Sequence, residues 1–391
     1  DSGSRMAAVG PQSVRIFDVT AAPRGEIYAL DISPHQAATG GLDAAGNRLA
    51  VFGFHGRCPE QYMEGFVIDL ATGEVIHRFY DQGGHTLALS PDGRSLIHQQ
   101  SLPDDPDVAW SEKTVESIVV KDMLNGGARE LDGLYPYLGD PELPWPSECE
   151  DPLRGPYCEF ILDRSVTPDA RLLAAGGYSG AFSVWNLETG GLVITQDLDP
   201  ECCVWGVALN HSGSMVAATA RGFSSSRMVV FDINGEILYE QPGLGGRTMF
   251  TADGKYLVTD LPTGQVRVFD VDDWSWWELD VHQGPMNELD VSPSGRLVVT
   301  VGGDSFVKVI DIESQSIVHE IDLGDDFAKA AAFVDDDHIA IGTQKGLVAV
   351  LTTDSEELAE IARSRLTRTL TDQECQTYLH LESCPDPTVG R

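Results

Sequence analysis

The chain has 391 residues, 42% of them apolar, enough for one large domain or two. Its 61 acidic residues outnumber 26 basic ones and give a formal charge of −35. Such a surface repels phosphates and argues against a general DNA- or RNA-binding role, and no run of about 18 apolar residues offers a membrane span.

At the N-terminus, Asp1 to Val19 aligns with Ser294 to Ile312 and supplies the second and third strands of a four-stranded unit without its first. The expectation is the remnant of a preceding unit, and a start at Asp1 in place of Met reads as a fragment or a processed product. Gly25 to Ile32 then reads as an outermost strand.

The clearest complete unit lies further on, from Met286 to Val318. Four short runs rich in Val and Ile are separated there by Ser292-Pro293-Ser294-Gly295, by Gly302-Gly303-Asp304 and by Ser314-Gln315. Short β-branched runs between such turn residues predict an antiparallel meander. The unit recurs, with its turn position at Gly46, Gly93, Ala170, Gly213, Gly254, Gly295 and Asp337, the last four steps being 43, 41, 41 and 42 residues. After most turns comes an apolar residue followed by Asp or a mimic: Phe17-Asp18, Ile68-Asp69, Trp185-Asn186, Phe231-Asp232, Phe269-Asp270 and Ile310-Asp311.

A four-strand repeat of this length with a Trp-Asp-like dipeptide resembles the WD40-repeat family, although a literal Trp-Asp occurs nowhere. The resemblance implies an all-β fold, a seven-bladed WD40-like β-propeller with a short C-terminal helical tail. Seven blades result if Gly25 to Ile32 supplies the missing outer strand of the last unit, Phe327 to Leu351, and so closes the ring. The alternative is eight blades. The expected organisation is 1–19 as a remnant of a preceding blade, 20–353 as the propeller and 354–391 as the tail.

In an antiparallel meander, the loops joining second to third strands lie on the same face as the blade-to-blade connections. The long insertions, Phe54 to Glu64, Gln99 to Glu116, Leu131 to Cys158 and Arg221 to Arg227, all belong to these two loop types. They carry Tyr62, Trp110, Tyr135, Tyr137, Trp145 and Tyr157, aromatic types favoured at binding hot spots. These six are the candidate partner-binding residues, and a protein or peptide is the expected partner. The same aromatics could instead anchor long loops onto the ring. Trp274, Trp276 and Trp277 sit at an outer strand, where alternation puts the first two on one face and the third on the other. Packing between blades accounts for at least one of them.

From Asp354 the pattern turns helical. Asp354 with Glu357, and Thr371 with Glu374, read as the capping boxes of two short helices. The stretch IARSRLTRTLTDQECQTYLHLESCP resembles the tail that follows propellers in large actinobacterial multidomain regulators. That resemblance implies a place at the end of a longer, sensor-like bacterial signalling protein.

Motifs for chemistry are missing. The ten histidines form no ligand-spaced pair, and neither a GxSxG elbow nor a Walker-type loop occurs, so no cofactor, metal or catalytic residue is assigned. Asp104-Asp105-Pro106-Asp107 lacks the fixed positions of a calcium loop, and Asp335-Asp336-Asp337 reads as a solvated turn. Cys149 with Cys158 and Cys375 with Cys384 could form local disulfides, which would favour an extracytoplasmic setting over a cytoplasmic one. Of Cys202 and Cys203, one is expected to be buried in an innermost strand and the other to join a loop disulfide. The functional expectation is a non-catalytic recognition module, a sensor or scaffold binding through its loop-rich face. The alternatives are a propeller enzyme or small-molecule binder using the central channel, and a spacer in a tandem propeller.

Overall fold

The computed structural model describes residues 8–10, 13–15, 30–31, 39–45, 47–55, 62–72, 74–81, 87–90, 92–102, 114–123, 126–131, 161–177, 180–198, 203–222, 226–345, 347–365, 371–374, 376–377 and 382. They fall into two units, 1–351 and 352–391.

The first unit is a seven-bladed β-propeller. Each blade is a four-stranded antiparallel sheet, and the seven innermost strands are Thr39–Ala45, Leu87–Leu89, Ile161–Val166, Val204–Leu209, Thr248–Phe250, Met286–Val291 and Ala328–Phe333, taken here as blades 1 to 7. Blade 7 takes its outermost strand from the other end of the chain. Leu30–Asp31 pairs antiparallel with Leu347–Thr352, with Leu30 opposite Val348 and Asp31 opposite Leu347. This closes the ring at seven blades, not eight, and covers a strand edge that an open ring would expose. Upstream, Ala8–Gly10 and Ser13–Arg15 form a separate two-stranded hairpin.

The Asp of each described dipeptide has a local task, Phe17-Asp18 lying outside the described residues. Its Oδ1 caps the turn between the third and fourth strands: Asp69 accepts from Thr72 N at 3.0 Å, Asp232 from Glu236 N at 2.8 Å and Asp311 from Ser314 N at 2.9 Å. Asn186 does the same, accepting from Thr189 N at 2.9 Å, which explains why the mimic is tolerated. The preceding residue points the other way, into the protein, and Ile68, Trp185, Phe231, Phe269 and Ile310 are all buried. At the first turn, Gly295 takes a φ of 75° and Ala170, in the equivalent place, a φ of 54°.

The apolar core lies between blades, with one cluster for each neighbouring pair. Phe182 and Val184 of blade 3 meet Val216, Val229 and Phe231 of blade 4, the two Phe rings tilted at 5.5 Å. Leu49, Val51 and Ile68 of blade 1 meet Ala330, Ala340 and Val348 of blade 7, so the closing junction is packed like the others.

The Trp run keeps the expected faces, Trp274 and Trp276 toward blade 4 and Trp277 toward blade 6, but only part of it is strand. The outer strand is Trp276–Asp280, so Trp274 lies in the preceding turn, at a φ of 59°. There its ring stacks on Tyr239 of blade 4 at 4.4 Å, an inter-blade contact. Trp277 packs into the cluster between blades 5 and 6, and Trp276 stays half exposed beneath the Arg267 guanidinium, 4.0 Å from its ring centre.

In the second unit the helix Ser355–Arg365 begins at the expected cap, where Asp354 Oδ1 accepts from Glu356 N at 2.8 Å. Where the second helix is expected, Asp372–Glu374 is helical and 376–377 are π-helical among the described residues. No helix among the described residues is long and apolar enough to cross a membrane.

Candidate functional site

Seven inner strands enclose a channel, and small register shifts decide which side chains face it. In blades 1, 3, 4, 6 and 7 the inner strand bulges near its start, at Gly40, Leu162, Trp205, Asn287 and Lys329. A bulge re-aims the residues that follow it. The first position after it holds Asp163 in blade 3 and Glu288 in blade 6, and Arg247 takes the matching place in blade 5. Two residues on, the same face holds Asp43, Ala88, Ser165, Ala208, Met249, Asp290 and Ala332. The small members of this layer leave room, and the result is a cavity of about 490 Å³. It runs from the layer of Asp163, Arg247 and Glu288 down to the short first turns at Pro168, His211, Ala252 and Pro293.

The polar residues of the second layer also tie blades together. Asp43 Oδ2 accepts from Leu89 N at 2.6 Å, Ser165 Oγ from Leu209 N at 3.0 Å and Asp290 Oδ2 from Phe333 N at 2.7 Å, each on the next blade. Above them, Arg247 Nη1 lies 3.0 Å from Glu288 Oε1 and 3.6 Å from Asp163 Oδ1. Arg164 reaches Asp163 at 3.8 Å and Asp43 at 4.0 Å.

Carboxylates exceed guanidiniums here, and burial sets the balance. Loss of water raises the Asp43 and Asp163 carboxyls despite the nearby arginines. It pushes Glu288 up to about 7 against the pull of Arg247. Asp290 is also pushed up to about 7, by burial first and then by Asp43 and Glu288. Asp260, beside Arg247, rises to about 6, and its buried Oδ1 has no hydrogen-bond partner. Burial alone would lower Arg247, but Glu288, Asp163 and Asp260 hold it above its ordinary value.

A hydroxyl–imidazole–carboxylate series occurs elsewhere. His282 Nε2 lies 3.0 Å from Thr300 Oγ1, and His282 Nδ1 lies 2.8 Å from Asp304 Oδ1. Thr300 is fully buried, so no substrate can reach its hydroxyl. The series works as a clasp instead: His282 lies on a blade-to-blade connection and Asp304 on a second-to-third strand turn, which places both loop types on one face. Among the described residues no cluster of three or more His, Cys, Asp or Glu could hold a metal ion.

Of the six aromatic candidates, Tyr62 opens the strand Tyr62–Asp69 opposite His55. Trp110, Tyr135, Tyr137, Trp145 and Tyr157 lie outside the described residues, as does the Asp104–Asp107 stretch. Cys203 is buried at the entry to the blade 4 inner strand and is itself disulfide-bonded; the other six cysteines lie outside the described residues. Sequence reasoning missed the channel charges, and it also missed Trp205, which is 38% exposed on its bulge.

Residues 275–311 match the WD domain, G-beta repeat family. The fold is that of the WD40-repeat β-propellers. The matched repeat runs from the outer strand of blade 5 through the inner three strands of blade 6, so repeat and blade are offset by one strand. The same offset is what lets Leu30–Asp31 complete blade 7 of this propeller. Over 166 residues the chain is 24% identical to WD repeat-containing protein SL1-17 of Schistosoma mansoni. The match takes in 40% of this chain and 52% of that protein, so the chain spans about half the length of that relative. Among solved structures it is similar to Chaetomium thermophilum Sqt1 bound to the N-terminus of the ribosomal protein L10. That likeness has a TM-score of 0.58 at 15% identity and covers 83% of this chain and 98% of that one.

Proposed function

We propose that this propeller is a non-catalytic protein- or peptide-binding module, a sensor or scaffold part of a larger regulatory protein, that binds through its loop-bearing face. The observation that carries the reading is the one-sided placement of the long connections. Between Leu102 and Thr114 a second strand leads to a third, and between Glu130 and Ile161 one blade leads to the next. Both loop types belong to the face that the His282–Asp304 clasp marks. Trp205 adds an exposed aromatic there, at the start of an inner strand. A solved propeller of similar fold is bound to the N-terminus of a ribosomal protein, which supports a polypeptide as the kind of ligand.

The partner-binding residues in this reading are Tyr62, Trp110, Tyr135, Tyr137, Trp145 and Tyr157. The test uses a peptide selected from a displayed library against the intact protein. Trp110→Ala and Trp145→Ala should each weaken its binding about tenfold or more and leave the unfolding midpoint within a few degrees of wild type. Loss of folding in both variants, with no selective loss of binding, would instead make these aromatics loop anchors.

A further inference from the structure

The channel carries an unbalanced charge that the loop-face reading does not use. Its lining holds four carboxylates, Asp43, Asp163, Glu288 and Asp290, and two guanidiniums, Arg164 and Arg247, with His211 at the rim. Both guanidiniums are already committed, Arg247 to Glu288 and Asp163, and Arg164 to Asp163 and Asp43. Asp290 is left over. Among the described residues it has no cationic partner within 4 Å, and it accepts a hydrogen bond from Phe333 N. Around the ring, Asp290 and Asp43 flank Ala332 in a single layer, so two carboxylates face one another's side of the channel across a methyl group. Both arginines lie on other blades.

We propose that this channel is a binding site for a slender organic cation, a primary ammonium on an alkyl stem, which enters between the short turns and pairs with Asp290 and Asp43. A bare metal ion fits poorly, because no three acidic or imidazole groups converge closely enough to hold one among the described residues. An elongated cation fits better. The cavity lies within the usual range of small-ligand pockets, roughly 300–1,000 Å³, and the layer that holds Asp43 and Asp290 also presents Ala88, Ala208 and Ala332 as apolar wall. An alkyl stem would lie against that apolar wall with its charged end at the carboxylates. The ammonium can come from a lysine side chain of a partner polypeptide or from a free alkylamine.

Pairing with a cation keeps Asp290 ionised, so binding expels a proton wherever the free site holds one. Because burial raises Asp290 and Glu288 to about 7, affinity should rise with pH. One linked proton at that value corresponds to a gain of about thirty-fold between pH 5.5 and pH 8.

The experiment is calorimetric titration of the intact protein with Nα-acetyl-lysine methylamide, 1,5-diaminopentane and Nα-acetyl-norleucine methylamide at both pH values. Saturable binding of an amine, with that pH dependence, is the expected result. Asp290→Asn and Asp43→Asn should each cut it at least tenfold. Asn at 290 can still accept the Phe333 N–H, and an unchanged unfolding curve checks the fold. Tighter binding of the lysine derivative assigns the site to a polypeptide side chain; tighter binding of the diamine assigns it to a free amine. Equal binding of the norleucine derivative, no saturable binding of either amine, or full binding by Asp290→Asn would overturn the proposal. None of these results bears on the peptide selected for the loop-bearing face, whose binding is tested through Trp110 and Trp145.

Discussion

Asp290 Oδ2 accepts the Phe333 amide of the next blade at 2.7 Å, while the carboxyl faces the channel with no cation within 4 Å of it among the described residues. One side chain therefore serves two ends: it ties blade 6 to blade 7 and leaves a charge in a poorly hydrated place. The tie survives in Asn, and the charge does not. Folded, Asp290 ionises near 7; unfolded, near 3.8. Between those values the native state holds the extra proton, so this group's contribution is fully present below about pH 4 and is lost as the pH rises through 7. Asp290→Asn should thus be more stable than wild type at pH 8, by about 1–2 kcal/mol after discounting for channel water, with the advantage fading toward pH 4. Chemical denaturation at the two pH values checks this.

Arg247 is the opposite case. It neutralises Glu288 and Asp163 together, and its Nε donates to Asn287 O at 3.1 Å. Arg247→Gln leaves two buried carboxylates without their shared cation. The expected loss is about 3–5 kcal/mol at pH 8, and it should shrink as the pH falls and the carboxyls take up protons. A loss independent of pH would mean that packing, and not charge, is what Arg247 supplies.

The inter-blade clusters predict where apolar truncation costs most. Phe231 is buried between blades 3 and 4 and its ring meets Phe182 at a tilt, 5.5 Å between centres. Phe231→Ala should cost about 3–5 kcal/mol. Trp276→Ala, on a half-exposed ring, should cost under about 1 kcal/mol. Thermal melts of the two variants separate core from surface aromatics.

Closure rests on a short pairing, Leu30 with Val348 and Asp31 with Leu347. Deleting residues 1–31 removes it and bares the edge of Leu347–Thr352. The truncated chain should unfold less cooperatively and self-associate through that edge, seen by light scattering. A monomeric product with an unchanged melting curve would contradict the role assigned to the closing strand.

The fold was legible in the sequence because its signals are local and repeated. Turn residues at steps of 41 to 43 mark the blades, and the Asp after each buried residue caps a turn whichever blade it is in. The closing strand was legible because one end lacked what the other end had spare. The channel was not, since Asp43, Asp163, Arg247, Glu288 and Asp290 share no local motif. They converge only after the inner strands are aligned across their bulges, and a bulge moves the inward set by one residue. Such an alignment, with Asp163, Arg247 and Glu288 in one column, is the signal that could have found them.

The most direct test of the central claim, that a polypeptide is bound on the loop-bearing face, is hydrogen-exchange footprinting of the intact protein with and without the selected peptide. The account predicts protection in 103–113, in 131–160 and around Trp205, with the outer strands Leu192–Asp197 and Ile237–Pro242 unchanged. Protection confined to those outer strands, with the connections exchanging as before, would contradict it.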